Sequence, residues 1–243
     1  MKNIARGGKN IYGFPIGILM LNSRFPRIPG EMGNASTWDF PVLYKIVKGA
    51  SPKKVVAEND PNLLEPFIHA AKELEQEGVR AITTNCGFLA MFQKEMNEAV
   101  NIPLFSSTLM MVPMVHSMIK PSQKVGIMTV NKSTLSEKII KGVGCEHIPK
   151  VVIGMENEEE FTNMILEDRL EMDVDKCRQE HVKIAKQLVK KNPDVGAIVL
   201  ECTNMPPYSK DIQETTGLPV FDIVSLVNFV HHALVKKTWQ GIM

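Results

Sequence analysis

The segment VRAITTNCGF at residues 79–88 is followed, later in the chain, by a second version of itself, VGAIVLECTN at residues 195–204. Each version is a short apolar run that leads into a polar segment with a cysteine, Cys86 in the first and Cys202 in the second. Short apolar runs of this kind are typical of strands buried on both faces of a parallel sheet. The sequence therefore places each cysteine directly after a buried strand.

The similarity extends over a whole strand–helix–strand unit. At an offset of 116 residues, eight identities fall within about thirty positions, without gaps. They pair Val79 with Val195, Ala81 with Ala197, Ile82 with Ile198, Cys86 with Cys202, Lys94 with Lys210, Glu98 with Glu214, Pro103 with Pro219 and Phe105 with Phe221. A second match, IGILML at 16–21 with VGIMTV at 125–130, has an offset of 109. This pattern indicates duplication of an α/β unit rather than a short solenoid repeat.

Apolar runs alternate with helical patterns along the chain. Strands are predicted at 16–21, 53–58, 79–84, 102–107, 124–130, 151–155, 195–201 and 218–223. Helical spacing is strongest in NLLEPFIHAAKELEQEG, which Gly78 would end, and in CRQEHVKIAKQLVKKNPD. Such alternation predicts parallel sheets covered by helices. The duplication predicts two pseudo-symmetric lobes, one formed by 1–119 with 218–243 and the other by 120–217.

Composition excludes several classes of function. The 243 residues are 44% hydrophobic and 23% charged, with a formal net charge of +1. The absence of a basic excess predicts no nucleic-acid partner, and the apolar stretches are too short for a membrane span. Lys2, Arg6 and Lys9 precede an apolar run as in a signal peptide, but no small-residue cleavage site follows. We therefore expect a cytoplasmic protein, and four cysteines do not suggest a disulfide framework.

The positions of the two cysteines favour chemistry. Ligands of parallel α/β sheets bind outside the carboxyl ends of the strands, where both cysteines are placed. The start of a helix offers free amides and a positive dipole end, which would lower a thiol pKa and hold a substrate carboxylate. One cysteine alone is as consistent with an inert buried thiol as with catalysis. The matched pair favours function.

Two opposed thiols suit one reaction in particular. One thiolate would remove a carbon-bound proton, and the other thiol would return a proton to the opposite face, which inverts a stereocentre. We expect Cys86 and Cys202 to exchange the roles of base and acid with the direction of reaction. Solvent deuterium uptake at the stereocentre would test this expectation.

The motifs TTNCGF and LECTNMPPY, each followed by a PLF or PVF strand, resemble those of the aspartate/glutamate racemase superfamily, as do the PGEMGN loop and the GIMTVNKST turn. The resemblance implies two Rossmann-like or flavodoxin-like lobes with the active site in the cleft between them. It also implies a two-cysteine racemase that uses neither pyridoxal phosphate nor a metal, and a homodimer. Asn22 and Asn204 replace the acidic and imidazole helpers of glutamate racemases, and Glu201 stands where a small residue is usual. The amino-acid substrate is therefore open.

Several polar residues are predicted to bind the substrate through loops at the same end of the sheets. They are Asn22, Arg27, Asn34, Asn85, Gly87, Ser106, Ser107, Thr129, Ser133, Thr203 and Asn204. Arg27, or Arg24 in its place, would clamp a carboxylate; the alternative is an ordinary surface loop. The hydroxyls of Thr129 and Ser133 would bind the substrate or merely cap a helix. Cys177 and His181 have helical metal-ligand spacing, but two ligands without companions do not predict a metal site.

The leading hypothesis is a cofactor-independent racemase or epimerase of a small carboxylate-bearing substrate, such as aspartate, glutamate or a derivative. An alternative within the superfamily is a cis–trans isomerase or a decarboxylase of the maleate or arylmalonate type. A third reading is a non-catalytic protein that binds a small ligand between two lobes, with ordinary thiol pKa values near 8.5.

Overall fold

Two four-stranded parallel sheets form the framework of the computed structural model, which describes residues 4–242. The first contains β1 (Ile16–Leu21), β2 (Val42–Val47), β3 (Ala81–Thr84) and β4 (Leu104–Phe105), in the order β2-β1-β3-β4. The second contains β5 (Lys124–Thr129), β6 (Lys150–Gly154), β7 (Val195–Leu200) and β8 (Val220–Phe221), in the order β6-β5-β7-β8. The two orders are the same, so the predicted two-lobe α/β fold is confirmed. Lys2 and the outermost ends of the predicted first lobe lie outside the described residues.

In the part of the chain that the structure describes, eight α-helices cover the sheets. They are α1 (Leu64–Glu77), α2 (Gln93–Glu98), α3 (Val112–Met118), α4 (Glu137–Gly142), α5 (Glu159–Leu166), α6 (Val174–Lys191), α7 (Ser209–Thr216) and α8 (Ile223–Leu234). Helix α1 ends as predicted at Gly78, whose φ of 99° is left-handed and favours glycine. Within residues 4–242 no helix is long and apolar enough to cross a membrane.

Helix α1 and helix α6 pack closely on their sheets at equivalent places. A β-carbon on Gly17 of β1 would lie 2.9 Å from Leu74 of α1, and one on Gly126 of β5 would lie 2.8 Å from Leu188 of α6. These two glycines are 109 residues apart, as in the sequence match. Each lets a helix leucine approach the strand, so the duplication is preserved in the packing as well as in the topology.

One predicted strand was wrong. Residues 53–58 contain a π-helix at Lys53–Ala57, and the edge strand that pairs with the outer side of β1 is the unpredicted β2. A short apolar run such as Val55–Val56 fits a helix turn as well as a strand. Strand β2 lies at the sheet edge, where Lys45 pairs with Glu73 at 3.0 Å, so it lacks the continuous apolar pattern of a central strand.

The helices that follow the last strand of each sheet cross to the other lobe. Helix α3, after β4, contacts β5 and β7, whereas α8, after β8, contacts β3. The predicted lobe boundary assigned all of 218–243 to the first lobe. Strand β8 departs from this assignment because it is hydrogen bonded to β7, in the second sheet. The exchange of helices ties the two lobes together beside the ends of their central strands.

Candidate active site

The loops after β3 and β7 bring the two predicted thiols into one cavity between the lobes. Cys86 immediately precedes a 3-10 helix at Gly87–Phe92, and Cys202 lies in the turn before Pro206–Tyr208. Their exposed fractions are only 8% and 7%. The cavity is nearly closed, with a volume of only about 10 Å³, which is room for roughly one water molecule. The two thiols are therefore shielded from bulk water within one small enclosure.

Both polar and apolar residues line the cavity. The two cysteine segments contribute Asn85, Cys86, Gly87, Glu201, Cys202, Thr203 and Asn204. The apolar residues, called the apolar wall here, are Leu21, Phe25, Pro52, Val56, Phe88, Val130 and Ile165. An apolar wall excludes water and strengthens electrostatic interactions in the site.

Burial raises the pKa of both thiols. The pKa of Cys86 lies well above its ordinary value and that of Cys202 is raised to about 12, and in each case the charge of Glu201 adds to the effect of burial. Backbone amides of Phe88 and Leu89 lower the pKa of Cys86, and Asn204 lowers that of Cys202. The expectation of low thiol pKa values was therefore wrong. The favourable amides are present, but desolvation outweighs them.

Glu201 is a third ionisable group of this cavity. It is fully buried, and burial raises its pKa to about 7. Its Oε2 accepts a hydrogen bond of 2.7 Å from the Thr129 hydroxyl, while its Oε1 has no partner. That free oxygen lies against Gly87, where any side chain would collide with it. Glu201 thus reaches across the interface from β7 to the residue that follows Cys86.

The residue that corresponds to Glu201 in the first lobe is Asn85. Each directly precedes its cysteine, and the backbone amide of each donates to the central first strand of its lobe at 2.9 Å. The Asn85 Oδ1 accepts from the Leu21 amide at 2.7 Å, and its carbonyl accepts from the Thr203 hydroxyl across the lobe interface. The site is therefore symmetric in its thiols but asymmetric in its carboxyl group.

The structure brings some of the predicted binding residues to the cavity. Asn85, Gly87, Thr203 and Asn204 line it directly. Thr129 reaches it through its hydrogen bond to Glu201. The Asn204 amide nitrogen lies 3.5 Å from the Cys202 sulfur, and its Oδ1 has no partner.

The remaining predicted binding residues do not line the cavity. Asn22 and Ser133 are exposed, Asn34 and Ser107 cap 3-10 helices, and Ser106 is buried beside Gln93. Asn34 and Ser107 thus have the capping role that such residues most often have.

Arg27, which was predicted to clamp a substrate carboxylate, is already paired with another residue of the protein. The Arg27 guanidinium bonds to Glu31 at 2.5 Å and to the Ser23 hydroxyl at 2.8 Å. Glu31 is buried, which raises its pKa to about 7 against the opposing charge of Arg27. Arg27 also lies over the ring of Phe25, 4.6 Å from its centroid. Arg27 therefore supports the cavity wall from behind, and Arg24 is an exposed partner of Asp168.

Sequence reasoning missed the apolar wall. Pro52 and Val56 come from the π-helix segment, Phe25 from the loop after β1, and Ile165 from α5 of the other lobe. These residues are distant in sequence, and each alone reads as ordinary core. The Pro/Gly-rich composition of the loop at 23–37, which contains Phe25, is a local signal for part of this wall.

Cys177 and His181 belong to the hydrophobic core. The His181 Nδ1 lies 2.7 Å from the Cys177 carbonyl, its ring stacks on Tyr208, and burial lowers its pKa to about 4. Among residues 4–242, no group of three or more potential ligands is placed to hold a metal ion.

The fold and the site define a two-lobed α/β enzyme with a pair of cysteines at the lobe interface. Residues 48–227 match the Asp/Glu/hydantoin racemase family, to which the chain belongs. The predicted superfamily is thereby confirmed.

Relatives and solved structures differ in the reactions that they name. The chain is 31% identical to a dimethylsulfoniopropionate lyase from Durusdinium sp. clade D over 240 residues, which cover 96% of this chain and 79% of the relative. It is 29% identical to dimethylsulfoniopropionate lyase 7 of Emiliania huxleyi, over 93% of this chain and 69% of the relative. These relatives are lyases, so the family alone does not make this chain an isomerase.

Two solved structures illustrate the shared fold. A mutant of arylmalonate decarboxylase in a sulfate-associated form has a TM-score of 0.61 and 15% identity, over 90% of this chain and 92% of that one. A glutamate racemase isoform from Bacillus anthracis has a TM-score of 0.58 and 16% identity, over 92% and 85%. At these identities the likeness concerns the fold alone.

Proposed function

We propose that this protein is a cofactor-independent lyase that removes a proton next to a carboxylate and expels a neutral group from the neighbouring carbon. The observation that carries the proposal is the pair of buried thiols in one small cavity. The choice of elimination rests on the similarity to dimethylsulfoniopropionate lyases over nearly the whole chain. The proposed substrate is a small carboxylate with a sulfonium group, such as dimethylsulfoniopropionate.

The proposed reaction conserves atoms and charge. A thiolate takes the proton from the carbon next to the carboxylate, and the electron pair of that bond forms the carbon–carbon double bond. The carbon–sulfur bond breaks and its electron pair leaves on sulfur. One zwitterionic substrate gives a neutral sulfide, an acrylate anion and one proton.

Once the site opens to admit a substrate, the groups that line the cavity suit both of its ends. The first amides of the turns after Cys86 and Cys202 have no partner within their own turns and suit a carboxylate. The free oxygens Glu201 Oε1 and Asn204 Oδ1 suit a positively charged group. The rings of Phe25 and Phe88 in the wall add a favourable surface for a cation.

Racemisation is the second candidate, favoured by the symmetric placement of the two thiols. In that case the proton returns to the opposite face of the same carbon, and the substrate is aspartate, glutamate or a derivative. A cis–trans isomerase or decarboxylase of the maleate or arylmalonate type would use the same proton transfer. The homodimer and the cytoplasmic location stay predictions.

The test is to incubate the protein with dimethylsulfoniopropionate and measure sulfide and acrylate, alongside D- and L-amino acids in deuterated water. We expect sulfide release that falls by about 100-fold or more in whichever of Cys86→Ala and Cys202→Ala removes the thiol that acts as base. Cys145→Ala, in a buried loop outside the cavity, is the matched control and should retain activity. Deuterium uptake into an amino acid without sulfide release would favour the racemase instead. Full activity in both cavity variants would exclude the thiol mechanism.

A further inference from the structure

Glu201 breaks the symmetry of a site that is otherwise duplicated. Asn85 at the corresponding place cannot carry a proton, and its side-chain oxygen is used by the Leu21 amide. Glu201 lines the cavity and is an acid with one oxygen fixed by Thr129 and the other buried, unpartnered and close to Gly87. A buried polar atom without a partner is costly to keep, which calls for a functional explanation.

The thiols need a proton acceptor. Both are buried with high pKa values, so neither ionises by itself at neutral pH. A thiol cannot remove a carbon-bound proton until it has lost its own. The charge of Glu201 acts on both thiols, and its free oxygen lies against Gly87, the neighbour of Cys86.

On the basis of the proposed function, we infer that Glu201 accepts the thiol proton of Cys86 when the substrate binds and thereby generates the thiolate base. The proton passes from sulfur to the Glu201 carboxylate, which leaves a thiolate and a neutral carboxylic acid. The thiolate then takes the carbon-bound proton and is a thiol again. Glu201 finally releases its proton to solvent, and this is the one proton that the elimination produces.

The substrate's own cation makes this transfer favourable. A sulfonium group in the cavity stabilises the thiolate of Cys86, so this thiol ionises only when the substrate is bound. The other groups around the thiols do not replace Glu201. The charge of Glu31 raises the pKa of Cys202, whereas the charges that raise the pKa of Cys86 are those of Glu201 and Cys202. Glu31 is also already paired with Arg27.

The first experiment does not need a substrate. The rate of iodoacetamide alkylation at Cys86 is measured against pH by peptide mass spectrometry in the full chain, in Glu201→Gln and in Glu31→Gln. We expect the midpoint for Cys86 to move to lower pH in Glu201→Gln, because the carboxylate that raises this thiol's pKa is gone. Glu31→Gln is the matched control and should leave the Cys86 midpoint in place.

The second experiment measures turnover against pH with the same proteins. We expect Glu201→Gln to lose about 100-fold or more in kcat with little change in KM, although its thiol ionises more easily. The loss of rate below neutral pH in the wild type should be absent from this variant. Thr129→Val should move that acid limb to higher pH, because the Thr129 hydrogen bond lowers the pKa of Glu201.

Three outcomes would overturn the inference: an unchanged Cys86 midpoint in Glu201→Gln, turnover in that variant equal to or above wild type, or an acid limb that Thr129→Val does not move. The last is informative even if Glu201→Gln does not fold. Failure of the proposed function would give a different result, because the wild type would release no sulfide from any substrate tested. The alkylation experiment would still decide whether Glu201 is coupled to Cys86.

Discussion

At the scale of single residues, burial and the dipoles of nearby amides have opposite effects on the pKa values of the two cysteines. Cys86 and Cys202 have the helix-start amides that lower a thiol pKa, yet both pKa values are raised because water is excluded. Glu201 follows the same rule and is the group that most easily carries charge in the cavity at neutral pH.

The buried carboxyl group makes stability depend on pH. Folding raises the pKa of Glu201 from 4.5 to about 7, so the folded state holds a proton that the unfolded state loses between these values. The resulting stability is complete below pH 4.5 and is lost as pH rises through 7, by about 3 kcal/mol at most. We expect Glu201→Gln to exceed the wild type in free energy of unfolding at pH 8 and to match it near pH 4.5, by urea denaturation.

Glu31 contributes a pH dependence of the same sign, but it is present in both proteins and cancels in the comparison. An equal difference between wild type and Glu201→Gln at both pH values would contradict the buried ionisation.

At the scale of elements, the turn after β3 packs against the turn after β7. Gly87 begins one turn and lies against the carboxylate and the carbonyl of Glu201 in the other. The Thr203 hydroxyl joins the same two turns through the Asn85 carbonyl. These turns also contain the two cysteines. The contacts that join the lobes therefore also set the positions of the two thiols.

We expect Gly87→Ala to destabilise the protein by about 1–3 kcal/mol, because its methyl group would overlap Glu201 and force the turns apart. Gly7→Ala is the control, since a β-carbon there has no neighbour within 4 Å. Urea denaturation measures both. If Gly87→Ala were as stable as Gly7→Ala, the close contact between the turns would be refuted.

At the scale of the whole molecule, two cross-lobe contacts repeat the internal duplication. Asp168 accepts from the amides of Arg24 and Phe25 at 2.6 and 3.0 Å, and Asn59 donates to the Thr134 carbonyl at 3.1 Å. Asn59 and Asp168 are 109 residues apart, and so are Phe25 and Thr134. Both bridging residues have left-handed φ values, 49° and 53°, which are uncommon for residues other than glycine.

We expect the Asp168 bridge to hold the cavity closed, because Phe25 forms part of the wall. Asp168→Gly keeps the backbone relaxed and removes the bridge, so alkylation of Cys86 should be roughly tenfold faster or more. Asp168→Asn retains an acceptor oxygen and should stay close to the wild type. Equal rates in all three proteins would show that this bridge does not limit access.

The sequence by itself determined the duplicated α/β architecture and the positions of the two cysteines. Both follow from local patterns, since apolar runs, their order and the offset of 116 residues are properties of the chain. The edge strand β2 was not predicted, because its half-exposed residues lack a continuous apolar run. Residues 53–58 were wrongly predicted as a strand, because a short apolar run fits a helix turn as well as a strand.

Only the tertiary structure decided which polar groups face the thiols. Arg27 is paired with Glu31, while Glu201 has a carboxylate oxygen without a hydrogen-bond partner. It also decided that burial raises the pKa of Cys86, where the helix start alone would lower it. The physical reason is that desolvation and hydrogen bonding depend on atoms that both lobes bring together. These atoms are far apart in sequence, so no local pattern of the chain reveals their contacts.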